Sequence, residues 1–241
     1  MTIIYYKKEY VIIQEIAMLK SRKIGIVERI IMRLNTGRLR CMIGWLGMTL
    51  PWIVVLLIKY FPQSISATWY TNACTVFMII LGSAGLLLIS YKGYEPIDDI
   101  TLTLSGIAGL GICLFPCHVE GIDGKVGTFL INAYISNIIH CVCAFIFFGL
   151  LSYNSMFLFT KTSDSDNVCA ERKFTKKQIR NIIYRICAIG MMASFLLLLL
   201  PNFSIKVWLV ETIALFFFGI SWLTKANRYK WLFCDTKENN T

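Results

Sequence analysis

The chain has 241 residues, of which 56% are hydrophobic and only 16% are charged, and its formal net charge is +10. Soluble domains carry about a quarter charged residues, so this composition excludes an ordinary soluble globular protein. In a soluble protein such a positive charge would suggest nucleic acid as a partner, but here the Lys and Arg residues lie in blocks beside apolar runs. That pattern is typical of contact with an anionic inner leaflet, so we expect membrane lipids and no nucleic acid as partners.

Six apolar windows follow one another along the chain, each long enough for a helix to cross a hydrocarbon layer about 30 Å thick. The windows cover residues 41–60, 70–91, 98–117, 129–159, 179–200 and 207–223. We therefore predict an all-α fold, a polytopic bundle of six transmembrane helices. The predicted organisation is a basic cytoplasmic arm over 1–40, a transmembrane domain over 41–225 and a short cytoplasmic tail over 226–241.

The distribution of Lys and Arg predicts how this bundle sits in the membrane. Residues 1–41 contain nine of them, residues 160–180 contain six, and residues 225–241 contain four. Under a six-span count all three blocks fall on one side, and the positive-inside rule places both termini in the cytoplasm of an inner (plasma) membrane. The arm also has a helical apolar stripe, which is typical of an amphipathic helix on the inner leaflet. A partly ordered arm that only fixes the orientation is the alternative.

The metal-binding residue types give no sign of a metal or cofactor site. The nine cysteines are scattered, with no C-x-x-C pair and no Cys/His array at zinc spacing. The two histidines, His118 and His140, are too few for a three-histidine zinc site. We expect no metal and no cofactor.

Polar residues within the windows are the best candidates for a site, because ionisable groups at membrane depth are costly and usually functional. Asn132, Ser136 and His140 are spaced four apart, so they would share one face of the fourth helix. Glu211 and Asn72 would lie at similar depth near the outer side. We predict an outward-facing polar crevice that binds a ligand. The alternative is a hydrogen-bond network that only holds three helices together.

A second group of charged residues is predicted at the inner side of the membrane. Asp98 and Asp99 open the third window after a proline, where the helix dipole favours carboxylates. Arg180 and Arg185 open the fifth window on the same side. An ion-pair clamp between the two helices is the hypothesis, with a structural role rather than a catalytic one.

Five segments together resemble a family of bacterial six-span membrane proteins of unknown function, which is distantly similar to the DRAM family of eukaryotes. The segments that carry the resemblance are 64–71, 90–99, 105–116, 139–148 and 208–225. The resemblance implies six spans and no established reaction. Members of the wider group are linked to lipid organisation, so the resemblance implies a lipid-related role by analogy.

The sequence is compatible with three functions. The leading hypothesis is a non-enzymatic membrane protein that binds or senses lipid or a small amphiphile through the outer crevice. The second is an oligomeric pore or membrane-disrupting effector gated from the cytoplasmic side, and self-association into a homo-oligomer is left open. The third is an integral membrane enzyme that uses His140 and Glu211 as acid and base.

Overall fold

The computed structural model describes residues 37–93, 95–160, 176–199, 201 and 205–226. Six helices account for most of these residues: α1 (Gly37–Ile58), α2 (Cys74–Ser90), α3 (Pro96–Leu114), α4 (Ala133–Tyr153), α5 (Lys176–Ser194) and α6 (Lys206–Lys225). The predicted arm up to residue 36, the basic loop at 161–175 and the tail beyond 226 lie outside the described residues.

Five of these helices are long and apolar enough to cross a membrane, namely α1, α3, α4, α5 and α6. α4 continues through a π-helical turn, Asn154–Leu158, and α5 continues through a 3-10 turn, Phe195–Leu199. α2 is equally apolar but has only 17 residues. The prediction of a mostly helical protein is thus confirmed, with five apolar helices long enough to span a membrane and one shorter apolar helix.

The second predicted window is wrong at its start. Its first residue instead ends a separate 3-10 helix, Ser66–Tyr70, and α2 begins only at Cys74. Between them the Thr71 hydroxyl donates to the carbonyl oxygen of Thr68 at 2.8 Å and accepts from the Ala73 N–H at 3.1 Å. A threonine side chain that bonds nearby backbone groups competes with the helical ladder, which is why the two helices stay separate.

The fourth predicted window is also wrong at its start, because residues 129–132 are not helical. They belong to a small antiparallel hairpin in which Lys125–Val126 pairs with Ile131–Asn132. The reversal contains Gly127 at φ +75° and Leu130 at φ +50°, a left-handed conformation that ends regular structure. Since three of the four residues are apolar, hydropathy alone extended the window into the turn.

Small residues let neighbouring helices approach closely, as is usual within membranes. α2 and α3 meet at Gly85 and Gly106, where a Cβ on Gly85 would lie 3.0 Å from the Gly106 carbonyl oxygen. α1 and α6 meet at Gly44 and Gly219, where a Cβ on Gly44 would lie 3.1 Å from the Gly219 carbonyl oxygen. These contacts hold α2 against α3 and α1 against α6.

The distribution of aromatic and aliphatic side chains fits lipid outside and a packed core inside. Phe77, Phe147, Phe218 and Trp222 are at most 1% exposed and occupy the core. Other apolar side chains point outward from the helices, and Phe145 on α4 is 70% exposed. Water would disfavour such a surface, whereas hydrocarbon chains accommodate it.

Candidate functional site

A cavity of about 450 Å³ lies between α4, the 3-10 helix before α2, and the neighbouring ends of α5 and α6. Its wall includes both ionisable residues of the predicted crevice, His140 of α4 and Glu211 of α6. The volume lies within the range of about 300–1,000 Å³ that is usual for small-molecule sites. The polar side of the wall consists of Gln63, Ser64, Ser66, Cys117, His118, Asn137, His140, Cys141 and Glu211.

Glu211 is anchored by the 3-10 helix, which lies next to it on the polar side of the cavity. One carboxylate oxygen accepts from the Ser66 hydroxyl at 2.9 Å, and the other accepts from the backbone N–H of Ile65. Ile65 is the residue that precedes the 3-10 helix, so the carboxylate satisfies a donor at the beginning of that helix. The backbone N–H of Ser66 also donates to this carboxylate. A carboxylate has about four acceptor positions, so capacity is left for one further donor.

Ser136 and His140 share one face of α4, as their spacing predicts. The Ser136 hydroxyl donates to the carbonyl oxygen of Pro116 at 2.8 Å. His140 Nδ1 lies 2.8 Å from the carbonyl oxygen of Phe115. A carbonyl oxygen can only accept, so Nδ1 carries the proton. Both residues thus fasten α4 to the chain that leaves α3, and His140 also lines the cavity.

Asn132 and Asn72, the other two residues of the predicted crevice, are not part of this wall. Because α4 begins at Ala133, Asn132 precedes the helix, and its side chain accepts from the Tyr134 N–H at 2.9 Å. Asn72 is exposed in the turn before α2. Ser136 is completely buried, without reaching the wall. The structure therefore brings Glu211 and His140 together and places the other three elsewhere.

Several residues of the wall were not predicted as site residues from the sequence. Gln63 lies in the segment after α1, and Cys117 and His118 lie in the segment after α3. Asn137 is one position from Ser136 on α4, and its side-chain oxygen accepts from the His118 N–H at 2.9 Å. A polar residue in a loop gives no signal of which helix it will face. Only Asn137, a polar residue inside an apolar window, had a recognisable signal.

Cys117 is not poised for nucleophilic chemistry. Burial raises the pKa of its thiol to about 12, and the nearby Glu211 carboxylate acts in the same direction. The thiol is therefore protonated at neutral pH, and the thiolate is the reactive form. Within the described ranges, no group of three His, Cys, Asp or Glu side chains is placed to hold a metal ion.

The opposite side of the cavity is apolar and faces the lipid-exposed surface. Phe145 of α4, Leu198 at the end of α5 and Val207 at the start of α6 line it, and each is also exposed on the outside of the bundle. A smaller space of about 40 Å³ beneath Glu211 extends towards the core beside Phe147. The cavity therefore has a polar wall on one side and an apolar opening on the other, an arrangement that suits a molecule with a polar head and an apolar chain.

No protein family, curated protein or solved structure matches this chain. The site itself is therefore the basis on which its function must be argued.

Two residues of the predicted inner clamp accept hydrogen bonds from backbone groups close to them in the sequence. Asp99 accepts from the Gly93 N–H at 2.6 Å, and Asp98 accepts from the Glu95 N–H at 3.2 Å, so both organise the start of α3. Arg185 is exposed on α5. The clamp between the two helices stays a prediction.

A residue that the sequence did not single out joins the inner group of charges. Lys225, the last residue of α6, interacts electrostatically with Asp98, Arg40 and Arg180. Its ammonium group also lies 4.8 Å from the ring centre of Phe159, within the range of a cation–π contact. This group of charges lies at the ends of the helices that are far from the cavity. Its members belong to helices that include α3, α5 and α6, so it contributes to their packing.

Proposed function

We propose that this chain is a multi-pass membrane protein, without enzymatic activity, that binds or senses lipid or a small amphiphile through the cavity between α4 and α6. The observation that carries the proposal is the two-sided wall, with Glu211 and His140 on one side and exposed apolar side chains on the other. Ligand sites combine mostly apolar walls with a few polar groups that orient the ligand. An opening lined by lipid-facing residues adds a route of entry from the bilayer.

The proposal includes the six-span topology, with both termini in the cytoplasm of an inner (plasma) membrane. α2 would be the sixth span, and its 17 residues correspond to about 26 Å at 1.5 Å per residue. A helix slightly shorter than the hydrocarbon layer is accommodated by local thinning of the bilayer at modest cost. Membership of the six-span family named above is part of the same proposal and supports a lipid-related role by analogy.

The experiment is native mass spectrometry of the full chain after extraction with a mild detergent, which reports bound amphiphiles and oligomeric state together. Ala144 lines the cavity, so Ala144→Trp should fill it and reduce retained amphiphile to the background level. Ala193 is exposed on α5, so Ala193→Trp is the matched control and should retain as much as the unmodified protein. Equal retention by both variants would refute binding in this cavity.

A second candidate function, an integral membrane enzyme, is favoured by one observation, that His140 and Glu211 line the same cavity. An enzyme would release a chemically altered amphiphile, so the bound species would change in mass during incubation. His140→Ala and Glu211→Gln should then each abolish the change. If bound species keep their mass in the unmodified protein, the binding function stands and the enzymatic one is refuted.

A further inference from the structure

We propose that the amphiphile held in this cavity is a single-chain molecule with a cationic, hydrogen-bond-donating amine head, and that Glu211 is its anchor. This inference rests on the proposed function and specifies the ligand of the same site. It follows from the charges of the wall, the acceptors it offers and the side on which it opens.

The charge of the wall contrasts with that of the whole protein. The chain has a formal net charge of +10, yet none of the described residues that line the cavity is Lys or Arg, and Glu211 is the one acid among them. In the sequence, positions 198–205 between α5 and α6 contain no charged residue. Lys206, at the start of α6, donates to the carbonyl oxygen of Leu198 at 3.0 Å. An anionic head group would therefore be repelled by the Glu211 carboxylate, and no Lys or Arg among the described lining residues would bind that head group.

The acceptors of the wall suit an ammonium group. Glu211 already accepts from the Ile65 N–H and from the hydroxyl and backbone N–H of Ser66, and the acceptor position that remains can take a further donor. His140 lines the same wall and has no positive side chain of Lys or Arg beside it among the lining residues. An ammonium group brings three donors and a positive charge, and charge-assisted hydrogen bonds are about twice as strong as neutral ones.

The apolar side limits the ligand to a molecule with one chain. A cavity of about 450 Å³ is too small to enclose a lipid with two long chains, whereas a single alkyl chain fits beside apolar lining residues such as Phe145 and Val207. A small free amine would gain only the polar contacts and lose the apolar ones.

The test compares probes of equal chain length on the unmodified full chain in detergent near neutral pH. Dodecylamine, dodecanol and dodecanoate are titrated separately, and occupancy is read by native mass spectrometry, with butylamine as the short-chain probe. We expect dodecylamine to bind about tenfold more tightly than dodecanol, with dodecanoate weakest. Dodecanoate binding as tightly as dodecylamine would overturn the amine head while leaving amphiphile binding intact. Butylamine binding as tightly as dodecylamine would overturn the requirement for a chain.

Two variants test whether the Glu211 carboxylate causes the preference for an amine head. Glu211→Gln keeps an acceptor for Ile65 but removes the charge, so dodecylamine should lose about tenfold in affinity and its advantage over dodecanol should vanish. Glu120→Gln, a matched change at an exposed acid outside the wall, should leave the ranking unchanged. An unchanged preference in Glu211→Gln would overturn the anchor. If that variant does not fold, the ranking on the unmodified protein decides alone. Retention of no probe at all would refute the proposed function itself.

Discussion

At the scale of single residues, the polar groups of α4 serve two purposes that the sequence could not separate. Ser136 is completely buried and donates to the Pro116 carbonyl, so it holds α4 against the segment that follows α3. His140, one turn further, makes the equivalent bond to Phe115 and also lines the cavity. The structural interpretation of this stripe therefore applies to both residues, and the ligand-binding interpretation applies to His140 alone of the two.

The stability of Ser136→Ala tests the structural part of this distinction. Hydrogen bonds between membrane helices contribute about 0.6 kcal/mol on average and up to about 1.7 kcal/mol. Because the substitution leaves the Pro116 carbonyl buried without its donor, we expect a loss near the upper end of that range. The measurement is reversible unfolding in mixed micelles. Ser90→Ala, which removes an exposed hydroxyl bonded within its own helix, is the control and should cost less. Amphiphile retention should be unchanged in both variants.

The reactivity of Cys117 offers a pH-dependent prediction. Burial raises the pKa of this thiol from 9.0 to about 12, so near neutral pH the thiolate fraction in the folded chain is about a thousandfold below that of the unfolded chain. Alkylation by N-ethylmaleimide should therefore be about a thousandfold slower in the folded chain, measured by peptide mapping. As pH rises, the rate should climb up to about pH 12 in the folded chain but level off near 9 in detergent-denatured chain. A plateau near 9 in the folded chain would mean that restricted access, and not the pKa, limits the reaction.

At the scale of elements, close helix contacts at glycine explain how α2 is held. A Cβ on Gly106 would lie 2.6 Å from Cγ1 of Ile89 and would also collide with the Gly85 carbonyl. Two backbones in such contact cannot separate without losing packing along both helices, because each helix has a rigid surface. α2, which is shorter than the other helices, therefore depends on α3 for its position.

The paired variants Gly106→Ala and Gly82→Ala test this dependence. Overpacking of this kind costs about 1–3 kcal/mol, so Gly106→Ala should lower the free energy of unfolding by that amount. Gly82 lies on α2 itself, and a Cβ added there would meet nothing within 4 Å, so Gly82→Ala should be neutral or slightly stabilising. Thermal unfolding in detergent, followed by circular dichroism, provides the comparison. Equal destabilisation by both changes would argue against the close contact.

The elements also show why some features were predictable from the sequence and others were not. Long apolar runs predicted the helices because each helix must satisfy its own backbone groups in lipid. The turn at Thr71 and the hairpin before α4 were missed because hydropathy does not register side-chain capping or a left-handed Leu130. In the cavity, Glu211 was recognisable as an acid within an apolar run. Cys117 was not, since its approach to α6 is a consequence of tertiary packing.

At the scale of the whole molecule, the cavity and the charged group around Lys225 lie at opposite ends of the helices. Glu211 is near the start of α6, and Lys225 is its last residue. A ligand in the cavity therefore contacts α4, α6 and the end of α5, and each of these helices is long and apolar enough to cross a membrane.

The orientation of the bundle is the last prediction, and it decides which leaflet supplies the ligand. Three basic blocks fall on one side in the six-span topology, and moving them outward would oppose the positive-inside rule. A protease site inserted after Glu120, between α3 and α4, should be cleaved from outside intact cells. The same site inserted after Lys92, between α2 and α3, should be cleaved only after permeabilisation. Green fluorescent protein fused to the C-terminus should be fluorescent. The reverse cleavage pattern would mean that the orientation is inverted and that the cavity lies at the inner leaflet. Cleavage at both sites in intact cells would show that α3 does not cross the membrane.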